Sequence, residues 1–132
     1  MNATEIDIIQ SAYAALNNYD IPGFLALLSP DVVRFEHFTS PPFTCRGIEE
    51  MRAHLEKGRS SWAEGSCTPE KFTIHGNRIV VSAYVHVRVN NETEWRNGYT
   101  GDVFTFKDGR IVEFSTFGNH NDALAYAVSD VF

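Results

Sequence analysis

Residues 101–112, Gly101-Asp102-Val103-Phe104-Thr105-Phe106-Lys107-Asp108-Gly109-Arg110-Ile111-Val112, read as the end of one β-strand, an Asp-Gly turn and the start of the next strand. A strand's period of two puts Asp102 on the same face as Phe104 and Phe106, so a carboxyl group is aimed at an apolar surface. Two readings follow. In one the strand frays before Asp102 and leaves it in water. In the other, burial disfavours the ionised form, raises the pKa and leaves a neutral acid able to donate a hydrogen bond.

Working outward, the segment from Thr93 to Phe106 forms a long strand that Gly98 or Gly101 can bend, and Arg110 to Phe117 pairs back on it. Upstream, Lys71 to His75, a Gly76-Asn77 turn and Arg78 to Val89 give two more strands. In the second of these, Ile79, Val81, Ala83, Val85, Val87 and Val89 share one face, and Ser82, Tyr84, His86 and Arg88 the other. A four-stranded antiparallel meander results, followed by a closing helix over about residues 121–128.

The N-terminal half has helical period instead. Thr4 opens a stripe of Ile6, Ile9, Tyr13 and Leu16, which predicts a helix over about residues 4–18. Asp20 as N-cap, Pro22 early, and Phe24, Leu25, Leu27 and Leu28 predict a short second helix stopped by Ser29-Pro30. Residues 32–37 read as a strand ended by Ser40-Pro41-Pro42. From Gly47 to about Trp62 the spacing of Ile48, Met51 and Leu55 predicts a third helix. Three helices, one strand between them and then a meander make an α+β domain. A strongly curved, mixed but mostly antiparallel sheet would wrap the three N-terminal helices as a cone-shaped barrel with an apolar cavity.

With 132 residues the chain suits one domain with one core. Its 43% hydrophobic content, ten Phe and five Tyr exclude a disordered class. A net charge of −6 and only eleven scattered Lys and Arg argue against nucleic acid as a partner. No apolar run approaches the roughly 20 residues that cross a bilayer. The polar, acidic start Met1-Asn2-Ala3-Thr4-Glu5 lacks a leader pattern, so no membrane association and a cytoplasmic location are expected. Cys45 and Cys67 lack metal-ligand spacing and read as small buried hydrophobes. Neither a metal nor another cofactor is expected.

Three stretches carry a resemblance: Ala14-Ala15-Leu16-Asn17 running into Asp20, Leu27-Leu28-Ser29-Pro30-Asp31-Val32, and residues 102–112. Over nearly its whole length the chain resembles the nuclear-transport-factor-two-like superfamily, within it the SnoaL-like and ketosteroid-isomerase-like proteins. That resemblance implies the cone fold and an apolar carbonyl-bearing ligand. The sheet face bearing Tyr84, His86 and Arg88 reads as solvent-facing or as the isologous surface of an expected homodimer. Laid against the ketosteroid isomerases, Glu36 falls where those enzymes carry the proton-shuttling aspartate, and Asp102 where they carry the protonated aspartate of the oxyanion hole. Their helix-one tyrosine aligns with Ala12, and Tyr13 lies one residue on, about 100° further round the helix.

The resulting candidate site has Glu36 as general base and Asp102 as neutral acid, with Tyr13, His54, Trp62, Tyr99, Phe104 and Phe117 as binding residues. Phe106 and Phe114 add to the expected aromatic wall. A different reading pairs Glu36 with Arg34 or Arg46 as a structural ion pair. His54 beside Met51 and Leu55 is either a cavity residue or a half-buried structural histidine, and His37 reads as a surface histidine. An aspartate–arginine–aspartate arrangement like that of limonene epoxide hydrolase finds only Arg96 near Asp102 along its own strand. Two functions from different classes remain: proton transfer on an apolar carbonyl compound, by an isomerase, lyase, cyclase or hydrolase, or a non-catalytic binding or dimerisation module.

Overall fold

Residues 2–129 are described by a computed structural model. The chain runs α1 (Asn2–Asn17), α2 (Ile21–Leu25), β1 (Leu28–Glu36), β2 (Phe43–Arg46), α3 (Gly47–Ser60), β3 (Trp62–His75), β4 (Arg78–Val89), β5 (Arg96–Lys107), β6 (Arg110–Phe117) and α4 (His120–Ala127). The strands form one sheet in the order β2-β1-β6-β5-β4-β3. Only β1 and β6 pair in parallel; every other neighbour is antiparallel. This is the α+β arrangement expected, a mixed, mostly antiparallel sheet curled around the N-terminal helices, with β2 and β3 left as edges.

Alternation along the strands sorts side chains to two faces. The inner face packs Val32, Ile79, Val81, Phe104, Phe106 and Phe114 against Ile9, Tyr13, Phe24, Met51 and Leu55 of the helices. On the outer face, Val80, Val103 and Phe117 pack under Ala123 and Ala127 of α4. Gly101 makes that close approach possible: a Cβ there would lie 2.7 Å from the Asn119 carbonyl oxygen and from the Ala123 Cβ. The Asn119 side chain caps α4 by accepting from the Asp122 amide at 2.8 Å, and Asp20 caps α2 through Gly23 at 3.0 Å.

Three boundaries depart from the sequence reading. Helix α2 stops at Leu25, and Leu28-Ser29-Pro30 already belongs to β1. Pro30 is tolerated because the β1–β6 register slips between Leu28 and Val33, where no ladder hydrogen bond is demanded of it. Residues 43–46, to which the sequence reading assigns no element, form edge strand β2 on Val33–Glu36. Strand β3 begins at Trp62, not near Lys71, with breaks in register at Trp62/Glu64 and Pro69/Lys71 that hid its period. Among the described residues no helix is long and apolar enough to cross a membrane.

Candidate active site

Register decides which polar groups meet. Glu36 on β1 lies beside Thr116 on β6, which lies beside Asp102 on β5. These three form one row across the inner face, and the next row is Arg34, Phe114 and Phe104. Strands stand about 4.8 Å apart, so Glu36 and Asp102 sit two strand spacings from each other with Thr116 between them.

Asp102 is buried, and both its oxygens are engaged. Tyr13 donates its hydroxyl to Oδ2 and Thr116 donates to Oδ1 at 2.8 Å. Burial pushes the Asp102 carboxyl above the usual aspartate range, against the opposing pull of the Tyr13 hydroxyl, the Arg34 charge and Thr116. The same burial, with Asp102 beside it, drives the Tyr13 phenol well above its ordinary value. Tyr13 thus reaches Asp102 from α1, while Ala12, the aligned position, is fully buried without a polar group. The tyrosine ring also meets Phe104 edge-on at 5.9 Å, and Phe104 stacks on Phe114 at 4.7 Å.

Arg34 stands over the Phe114 ring, 4.0 Å from its centre. Its Nη1 donates to Thr116 Oγ1 at 2.6 Å and to the Phe114 carbonyl at 3.3 Å, and its Nη2 donates to Glu36 Oε2 at 3.1 Å. His54 Nε2 meets the same Oε2 at 2.7 Å from α3. Among the described residues, Glu36 Oε1 has no hydrogen-bond partner. Burial raises the Glu36 carboxyl, but the His54 hydrogen bond and the Arg34 charge outweigh it and hold the group below its ordinary value. Two acids in one row are therefore shifted in opposite directions.

Beyond Glu36 lies a pocket of about 670 Å³, lined by Glu36, Thr39, Pro41, Pro42, Phe43, His54, Lys57, Gly58 and Ser61. Phe43 of β2 stacks on His54 at 4.7 Å and forms its aromatic wall. Asp102 is not among the lining residues; it lies behind Thr116 and Arg34. The single chamber expected for both acids is instead an open pocket at Glu36 backed by a packed interior.

Other candidate residues are dispersed. Phe104 is core, 1% exposed. Phe117 faces the opposite way, under α4, because it is odd-numbered on a strand whose Thr116 faces inward. Tyr99 is on the outer face, paired with Tyr84 and donating to Glu70 at 2.9 Å. Trp62 is partly buried at the start of β3 beneath the Arg59 guanidinium, 4.7 Å away. His37 is exposed as expected, its ring stacked on Phe117 at 4.1 Å. Arg96 pairs with Glu92 at 2.6 Å, and the arginine near Asp102 is Arg34, contributed across the sheet. Period two from buried Val32 already put Arg34 and Glu36 on the inner face; nothing in the sequence announced Thr116 or Phe43. Among the described residues no three His, Cys, Asp or Glu side chains are grouped to hold a metal ion.

No curated protein matches the sequence. Among solved structures, an NTF2-like protein of unknown function from Burkholderia pseudomallei is 26% identical, covers 96% of this chain and 98% of its own, and superposes with a TM-score of 0.78. A candidate SnoaL-like polyketide cyclase from Jannaschia sp. is 15% identical over 97% of this chain and 93% of its own, with a TM-score of 0.77. An epoxide hydrolase of M. tuberculosis resembling limonene epoxide hydrolase is 16% identical over 93% and 88%, with a TM-score of 0.74. The last two likenesses speak for the fold alone. The family model of the SnoaL-like domain matches residues 9–114, from α1 to the middle of β6, and by that match this chain belongs to the SnoaL-like family.

Proposed function

We propose that this protein binds a small, largely apolar carbonyl compound in the pocket beside Phe43 and transfers a proton to or from it with Glu36 as base. The observation that carries this reading is the one-sided clamp on Glu36: both donors converge on Oε2 and leave Oε1 unpaired in a carboxyl that lines the pocket. A pinned carboxylate with one open oxygen is an oriented base. His54, donating to Oε2, stabilises the carboxylate form in which Glu36 acts as base.

A carboxylate held below its usual range is ionised at neutral pH yet weakly basic. An apolar ligand covering Oε1 adds to the burial that already pushes Glu36 up, so basicity rises as the ligand binds. Asp102, both oxygens occupied, serves behind the pocket rather than at the ligand.

The test is proton exchange. Hydrophobic ketones and β-dicarbonyl compounds are incubated with the protein in D₂O, and deuterium at the carbon next to the carbonyl is followed by NMR. Exchange that falls by about 10²- to 10⁴-fold in Glu36→Gln supports the reading. Compounds that bind without exchange in the wild-type protein support the non-catalytic binding module instead, a reading favoured by the interior filled with Tyr13, Phe104 and Phe114.

A further inference from the structure

Among the described residues, Thr116 is the only side chain that touches both Asp102 and Arg34 through hydrogen bonds, and chemistry fixes the direction of the bond with Arg34. Arginine has no acceptor, so Thr116 Oγ1 must accept from Arg34 Nη1. That leaves the one hydroxyl proton free for Asp102 Oδ1, at 2.8 Å. The Arg34 guanidinium is buried and stacked on Phe114, yet its Nε has no partner. Apart from Thr116, Nη1 has among the described residues only the 3.3 Å contact to the Phe114 carbonyl. The Thr116 hydroxyl is thus the short contact that sets the rotation of the guanidinium, and that rotation sets where Nη2 meets Glu36.

We infer that Thr116 is the positioning residue of the pocket: held by Asp102, its hydroxyl anchors Arg34, and through Arg34 it pins Oε2 of Glu36 while Oε1 stays open to a ligand. The catalytic consequence rests on Glu36 being the base. The geometric claim does not. Groups that bear on Glu36 are Arg34 of β1, His54 and Lys57 of α3, Cys45 of β2 and, through Thr116, Asp102 of β5.

The experiment reads the carboxyl directly. Carbon-13 titration of Glu36 and nitrogen-15 spectra of the Arg34 guanidinium are compared in wild type, Thr116→Val and Thr116→Ser. The valine has the shape without the hydroxyl. In that variant the Glu36 midpoint should climb toward the ordinary glutamate value of about 4.3, and the Arg34 Nη signals should average by rotation. Serine should restore both. A valine variant with Glu36 and Arg34 unchanged, or a serine variant as perturbed as valine, overturns the inference. Should valine fail to fold, wild type alone decides: a freely rotating Arg34 guanidinium overturns it, and restricted rotation with Arg34 Nη close to the Thr116 hydroxyl proton sustains it. None of these readouts needs a substrate, so a protein that exchanges no carbonyl-adjacent proton would end the proposed function and leave this inference to its own result.

Discussion

Asp102 and Glu36 respond to pH in opposite senses because the folded chain moves their proton affinities in opposite directions. Folded Asp102 keeps a proton that the unfolded chain has lost, so its stabilising contribution is full at low pH and lost as pH rises from about 3.9 through its raised value. Glu36 does the reverse: its contribution is present above the unfolded glutamate value and is lost as pH falls through its lowered folded one. In Asp102→Asn the first effect vanishes. Urea unfolding between pH 4 and 7 should therefore show the variant gaining on wild type, by up to about 1.4 kcal/mol per pH unit until the raised value is passed. A gap that stays flat would mean that Asp102 ionises in the fold as freely as in the unfolded chain. Tyr13→Phe tests the same group from its partner. It removes a donor to the ionised form, so the loss of stability with rising pH should extend to higher pH, with an overall cost of about 1–3 kcal/mol.

Strand β6 is the element that joins two polar systems, because its alternate residues face opposite ways. Thr116 looks inward; Glu113 and Ser115 look outward under α4. Glu113 is fully buried and accepts from Thr105 at 2.7 Å, from Ser115 at 2.5 Å and from the Tyr126 hydroxyl of α4. Arg78 of β4 donates to the carbonyls of Tyr126, Ala127 and Ser129 at the helix's C-terminal end. Tyr126→Phe should cost about 1–3 kcal/mol and speed amide exchange in α4 more than in α1. At the other end of the sheet, Gly65 has φ +128° and a Cβ there would lie 2.3 Å from the His86 carbonyl oxygen. Gly65→Ala should destabilise by more than about 2 kcal/mol in thermal or urea unfolding, and amide exchange that quickens more in β3 than in β6 would report where the damage lies. These elements also show what the sequence could and could not carry. Period two and the Asp-Gly turn were enough for β4 to β6, and helical spacing for α1 and α3. Short β2 and the slipped registers of β1 and β3 left no clean period. The site was legible as residue types on faces, Glu36 and Asp102 inward with Phe104, but strand partners are not written in a strand's own period. For that reason Thr116 stayed invisible and Phe117 and Tyr99 were read as pocket walls.

At the scale of the whole molecule the sheet has more outer face than α4 covers. Across β4 and β5 the uncovered part carries Tyr84 paired with Tyr99, ring centres 5.2 Å apart, and His86 against Trp95 at 4.5 Å. Trp95 and Tyr99 remain 44% and 54% exposed. Beside them, on the same face of β4, Arg88 pairs with Glu64. A two-fold interface must be complementary to itself, and an aromatic centre with internally paired charges at its rim meets that condition without setting like charges opposite each other. The expected occupant of this face is a second copy of the chain. Sedimentation equilibrium should give a dimer for wild type and a monomer for Tyr99→Asp, which places an unpaired carboxylate, and its two-fold mate, in the aromatic centre. Tyr99 is on the opposite face from Glu36, so the variant should leave the Glu36 titration where it was. A wild-type protein that sediments as a monomer ends this expectation, and a Tyr99→Asp variant that stays dimeric places the interface elsewhere; either leaves the aromatic strip without a partner of its own kind.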